Sequence, residues 1–259
     1  MRLARLISLV SALAFAGLGI GSPAPGGKRP AGRKPLASSP SRKAAAPFRV
    51  GEKLFYQIGW MNLPEAATAE LAVEPRRNFY GHPARHFRAV AHTEDPLRML
   101  MVVDDQFDSY CDASTLVTFQ YEMYLEEQGK HSVRQFALDH GSPGAERIPA
   151  PAGTRDPLAA LYRLRTVDWR RTPRLAFPVY DGKHFYQMAA QLAAAHDSVL
   201  VPAGHFDASR ITIQVFSREA GIAPMQLTLW LANNPSRTPV EVDANVSVGT
   251  VKGELMQVE

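Results

Sequence analysis

Only one cysteine, Cys111, occurs in the 259 residues. An intrachain disulfide framework and a cysteine-cluster zinc site are therefore excluded. Beyond the first twenty or so residues, no apolar run approaches the roughly 18 residues that a membrane-crossing helix needs. Nucleophile elbows of the G-x-S-x-G type, G-x-G-x-x-G turns and phosphate-binding loops are all missing, so the common signatures of hydrolases and nucleotide enzymes are absent. Acids are missing from residues 1–47, which hold eight Lys and Arg and carry +8. The remaining residues have a net charge of −4. A basic balance confined to one end argues against nucleic acid as a partner, because such a domain needs a basic face on its folded part. Hydrophobic residues make up 46% of the chain and charged residues 21%, enough for a packed core.

Residues 1–24 have the layout of a secretory signal peptide. Arg2 and Arg5 precede an uncharged run from Leu6 to Ile20, and small residues follow. At 15 residues this run is short for a permanent anchor, and no cysteine follows it to carry a lipid. Residues 25–47 are rich in Pro, Gly, Ser and Ala, with six basic residues in the stretch after Pro25. This reads as a solvated linker able to touch anionic surfaces. The expected product is a periplasmic protein with no transmembrane span in the mature chain.

From Phe48 onward, the pattern is mainly β. Leu54, Tyr56, Ile58 and Trp60 alternate with other residues, and similar alternation recurs from Ala69 to Val73, Phe87 to His92, Thr115 to Leu125, Val133 to Leu138, Ile211 to Phe216, Gln226 to Leu231 and Val240 to Val251. Met99–Val103 is a short apolar run. Turn residues cluster at 78–83, 139–153, 202–204 and 233–239. Together these predict about ten short strands in one domain over 48–259, with a single curved antiparallel sheet closing into a roll or barrel. One helix is signalled near 156–165. Asp156 is placed to cap it, Pro157 suits its first position, and Leu158, Leu161, Tyr162 and Arg165 share a face. It reads as a lid or plug across one end of the sheet. The stretch 185–196 is ambiguous between strand and helix, and strand is preferred.

Five segments in order resemble one bacterial exported family, the domain of unknown function 3108. They are Phe48-Arg49-Val50-Gly51-Glu52-Lys53-Leu54-Phe55-Tyr56; Phe107-Asp108-Ser109-Tyr110 with Asp112; Asp156-Pro157-Leu158 through Tyr162 and Arg165; Val201-Pro202-Ala203-Gly204-His205-Phe206; and Leu229-Trp230-Leu231 with Arg237, Pro239 and Val240. The likeness spans roughly the whole folded part. It implies a β-rich roll in the periplasm and no settled activity. Two departures stand out: Asn62-Leu63-Pro64-Glu65-Ala66 replaces a glycine-containing turn, and Asn234 replaces a common acid.

The polar candidates each have a structural reading beside the functional one. His82, His86 and His92 would share a strand face, but successive members lie too far apart to ligate one metal, so they read as a solvated edge. Asp104, Asp105, Asp108 and Asp112 lack the glycine and distal glutamate of a calcium loop. Cross-strand pairing with Arg98 or Arg134 accounts for Asp108 and Asp112. Cys111 reads as a half-buried strand residue. Nothing supports a catalytic residue, a metal site or a cofactor. The ligand-binding candidates are Tyr56, Trp60, Tyr110, Tyr162, Arg163, Arg165 and Trp230, with the arginines suited to clamp an anionic head group. The functional expectation is non-enzymatic. It is the binding of a hydrophobic or amphipathic envelope ligand, such as an envelope lipid, or of an envelope-assembly protein. The alternative is an interaction module with a filled core; a hydrolase is the third reading.

Overall fold

The computed structural model describes residues 46–79, 81–139, 148–217, 223–246 and 249–259. Residues 1–45, which hold the expected signal peptide and nearly all of the expected linker, lie outside the described residues. Thirteen strands and two helices are present among those described. They are β1 (Lys53–Trp60), β2 (Leu63–Phe79), β3 (His82–Thr93), α1 (Leu97–Leu100), β4 (Asp104–Asp112), β5 (Thr118–Glu127), β6 (Lys130–Asp139), β7 (Ile148–Pro149), α2 (Pro157–Arg165), β8 (Arg174–Tyr180), β9 (Phe185–Val201), β10 (Gly204–Ser217), β11 (Met225–Ala232), β12 (Pro239–Val246) and β13 (Gly249–Val258).

All strands belong to one sheet in the order β7-β6-β5-β4-β3-β2-β1-β13-β12-β11-β10-β9-β8. Chain neighbours pair as hairpins in two halves, β1–β6 and β8–β13. The halves join where β1 pairs antiparallel with β13, Tyr56 opposite Leu255 and Ile58 opposite Gly253. Among the described strands, only β6 and β7 pair in parallel; Arg155 also makes an isolated parallel bridge to Val179. The mainly β roll expected from the alternation is therefore present, and 185–196 falls within a strand.

Inward positions follow the strand period. In β10, Ile211, Ile213 and Val215 are buried, whereas Arg210, Gln214 and Phe216 are exposed. The first hairpin turns at Met61 and Asn62 without glycine. Met61 itself takes the left-handed conformation with φ 52°.

Several expectations are corrected. The strands are more numerous and longer than ten short ones; β2 and β9 each run 17 residues. The apolar run at 99–103 is not a strand: Leu97–Leu100 forms a helical turn, and Met101 packs with Leu97, Ala66 and Val103 in a small satellite core. Strand β8 carries no clear signal in the sequence, because Pro178 interrupts its pattern. Its position explains how proline is tolerated, since β8 is the last strand of the sheet.

Among the described residues, the sheet ladder does not close between β7 and β8. Residues 154–155 cross the gap instead. The Thr118 N–H donates to the Thr154 carbonyl at 3.2 Å, the Arg155 N–H to the Pro178 carbonyl at 3.1 Å, and the Tyr180 N–H to the Arg155 carbonyl at 2.8 Å. The chain then enters α2, which packs against β3, β4 and β8. Every residue of α2 except Arg163 is buried. Helix α2 is thus an internal strut around which the sheet curves, rather than a lid lying across its end.

Candidate functional site

Both ends of α2 are tied to the sheet by buried polar groups. At its start, Asp156 caps the helix by accepting the Ala159 N–H at 2.9 Å, while its other oxygen accepts from the Ser109 hydroxyl (2.5 Å) and the Thr118 hydroxyl (2.6 Å). Burial raises the Asp156 pKa, and these hydrogen bonds oppose the rise. At its end, Arg165 forms a two-pronged pair with Glu52, Nη1 to Oε1 at 2.6 Å and Nη2 to Oε2 at 2.9 Å. Nη2 also donates to the Ser236 carbonyl at 3.0 Å. Arg237 donates to the carbonyls of Arg165 and Val167, at 3.3 and 2.7 Å, where the helix C-terminus carries negative partial charge.

Around this strut, aromatic rings pack closely. Phe87 stacks on Tyr162 with centroids 3.8 Å apart, and Phe48 meets both rings edge-on. The guanidinium carbon of Arg165 lies 5.1 Å from the Tyr162 centroid and 5.2 Å from that of Phe48. Tyr162 and Arg165 therefore anchor the helix. Arg165 is fully buried, so it presents no charge to an external head group. Arg163 is half-buried and donates to the Thr166 hydroxyl at 2.6 Å.

On the other side of α2 the packing is incomplete. An apolar cavity of about 50 Å³ lies between Leu161 of the helix and the inner faces of β1, β2 and β11–β13. Tyr56, Leu71, Leu229 and Val251 are among its walls. The Tyr56 hydroxyl is satisfied by the Pro239 carbonyl at 2.7 Å, which leaves the ring to face the cavity. Gly253 keeps one wall low: a Cβ there would stand 2.9 Å from Val242 Cγ1 and 3.3 Å from Ile58 Cδ1. At the end away from Arg165, β1 finishes in half-buried Trp60, and exposed Met61 follows in the turn.

The candidate ligand residues are thus not brought together. Tyr56 lines the cavity, and Trp60 packs between the main core and the satellite core of α1. Trp230 faces outward, donating its indole N–H to Asp197 at 3.0 Å. Tyr110 also lies on the outer face, stacked between His86 at 4.5 Å and Phe79 at 4.6 Å.

Among the histidines, His82 and His92 are exposed, but His86 is not a solvated edge residue. It is 1% exposed, and its Nε2 lies 2.5 Å from Asp108 Oδ1. Arg88 and Gln106 also donate to Asp108, at 3.2 and 2.6 Å. Asp104 is held by Arg98 and His92, and the Arg98 hydrogen bond leads in holding its pKa down at about 2. Asp112 accepts from the turn residues Ser114 and Thr115. Among the described residues, no group of three His, Cys, Asp or Glu side chains is placed to hold a metal. Cys111 is wholly buried, and burial drives its thiol pKa up.

Asp105 does not stand out in the sequence, because it sits within a run of acids. The strand period turns it the other way from Asp104 and Asp108, onto the inner face. It is 1% exposed; one oxygen accepts the Glu126 N–H at 3.0 Å, and the other has no hydrogen-bond partner. Burial pushes its pKa up to about 7.

A single curved sheet wrapped around an internal strut defines a barrel-like class of protein, and comparisons with known proteins agree. The chain belongs to the family described as Protein of unknown function (DUF3108), whose model matches residues 55–256. Its fold is similar to that of a β-barrel-like protein of another family of unknown function, DUF1849, from Brucella abortus. That protein is 12% identical, with 81% of this chain and 97% of that chain covered and a TM-score of 0.53. Looser likenesses are to a provisionally named lipoprotein from Parabacteroides distasonis (10% identity, 82% and 96% covered, TM-score 0.38) and a hypothetical protein from Chlamydia trachomatis (10% identity, 82% and 87% covered, TM-score 0.35). No curated protein matches the chain. No helix among the described residues is long and apolar enough to cross a membrane, which says nothing of crossing by strands.

Proposed function

We propose that this is an exported, periplasmic, non-enzymatic protein that binds the apolar part of an amphipathic envelope molecule inside the roll. One observation carries the reading: an apolar cavity lies beside Leu161, between α2 and the inner face of the sheet. A space lined mainly by apolar side chains favours small apolar guests. The basic, signal-like start of the chain supports export, and the engagement of Asp104, Asp108 and Asp156 in ion pairs and caps supports structural roles for them. At about 50 Å³ the cavity is well below the roughly 300 Å³ typical of small-molecule sites. It takes the tip of a chain, and a longer ligand requires α2 or the β1–β13 wall to yield.

The small volume favours the second reading, a filled-core module that acts through its surface. Filling the cavity separates the two. In Ala69→Leu the new side chain enters the space, since Ala69 is one of its walls. Native mass spectrometry of the full chain purified from the periplasm, followed by organic extraction, reads co-purified amphiphile. The binding reading expects a stoichiometric guest in the wild type and loss of it in the filled variant. A clean apo mass, with no uptake from a panel of envelope lipids, favours the filled-core module.

A further inference from the structure

Four inward residues lie in one row across four adjacent strands. Tyr56 of β1 is opposite Ala69 of β2, Ala69 is opposite Ala91 of β3, and Ala91 is opposite Asp105 of β4. Tyr56 and Ala69 are cavity walls. Two inter-strand spacings, about 10 Å, separate Ala69 from Asp105. The side chain between them, Ala91, is a single methyl group; neither Ala91 nor Asp105 is itself a wall of the cavity.

At the far end of the row is the bare carboxylate oxygen. A buried acceptor without a partner is costly, and native proteins rarely tolerate one without a reason. The groups that face Asp105 do not supply it. Glu127 and Asp104 are acids that repel its charge; of the nearby bases, His92 and Arg98 are engaged by Asp104, and Arg134 acts on Glu127. No Lys or Arg among the described residues forms a hydrogen bond with that oxygen. Burial likewise raises the pKa of the neighbouring Glu127. A buried acidic oxygen with no cation bonded to it, two strands away from a wall of an apolar cavity, matches one ligand chemistry, an apolar chain ending in a protonated amine.

We infer that Asp105 is the polar anchor of the interior site and that the guest is an amphiphile carrying a primary ammonium group. The ammonium donates to the unpaired Asp105 oxygen, and the apolar chain runs over Ala91 and Ala69 into the cavity beside Leu161. This inference rests on the binding reading above and adds the charge of the ligand. It predicts discrimination by head-group charge: a carboxylate in the same place would meet Asp105 and Glu127 with like charge.

The test is calorimetric titration of the full chain at pH 8 with three probes of equal chain length: octylammonium, octanol and octanoate. Octylammonium is expected to bind at least tenfold more tightly than octanol, and octanoate more weakly than octanol. Asp105→Asn is expected to erase the ammonium preference, bringing octylammonium to within about twofold of octanol in that variant. Ala69→Leu is expected to abolish binding of all three. Equal affinity for octylammonium and octanol in the wild type overturns the role of Asp105 and leaves the apolar site standing. Persistence of the preference in Asp105→Asn overturns that role in the same way. Failure of all three probes to bind the wild type overturns both. The wild-type comparison discriminates even where a variant folds poorly, and Glu127→Gln, expected to reduce the preference only in part, offers a milder second variant.

Discussion

Arg165 and Glu52 face each other as two parallel hydrogen bonds, 2.6 and 2.9 Å long, with both side chains buried. They are 113 residues apart in the chain. The pair joins the last residue of α2 to the residue that precedes β1, so it fixes the strut to the middle of the sheet, next to the β1–β13 junction. Arg165→Ala leaves the Glu52 carboxylate buried without its partner, and its expected cost is about 3–5 kcal/mol. Replacing both members with apolar residues of similar size, as in Glu52→Leu with Arg165→Met, is expected to cost less than the single change. Urea denaturation of the three proteins checks the order.

Asp156 acts at the opposite end of the same helix. One oxygen caps the helix and the other collects two hydroxyl groups from β4 and β5. Asp156→Ala removes the cap and leaves Ser109 and Thr118 without that acceptor in the core. Loss of the cap alone costs about 0.5–2 kcal/mol, and the orphaned hydroxyls add to it. Asp156→Asn keeps a carbonyl oxygen for the cap and is expected to lose less than Asp156→Ala. Thermal unfolding followed by circular dichroism measures both.

Asp105 gives a pH dependence of opposite sign to that of the paired acids. Its folded pKa is raised to about 7, chiefly by burial. An acid with a raised folded pKa binds more protons folded than unfolded, so its contribution to stability declines as pH rises from about 4 to about 7. Asp105→Asn carries no such charge. The variant is therefore expected to gain stability relative to wild type as pH rises from 5 to 8, with little further change above. Asp104, held at about 2, acts the other way, and its contribution is lost only as pH falls below about 4. Melting temperatures of wild type and Asp105→Asn between pH 5 and 8 show the sign. An unchanged difference across that range would mean that Asp105 is not buried as an acid.

Much of the fold is legible in the chain because strand alternation and helix capping are local. Tyr56 and Trp60 share a face by their spacing, and Asp156-Pro157 marks the start of α2, as found. Other elements are not legible in the same way. Pro178 hides β8, and only its place as an edge strand, seamed by Arg155, explains how a proline is accommodated there. His86 looks like His82 and His92 in sequence. Asp108 on the next strand, reached through the β3–β4 register, makes it a buried partner. Arg165 reads equally well as a head-group clamp or a helix anchor until Glu52 is placed beside it.

The class of the protein follows from local patterns in the chain. Its strand periods, its capped helix and its five family segments are short-range features, and the physics that produces them acts over a few residues. What those elements enclose is set by long-range contacts instead. The pairing of β1 with β13 brings together residues some 200 positions apart, which turns two half-sheets into one roll around α2. Burial, hydrogen-bond satisfaction and the cavity beside Leu161 depend on what lies across from a side chain. So does the difference between Asp104 and Asp105: adjacent in the chain, one is paired at the surface and the other faces the core with an oxygen unpaired.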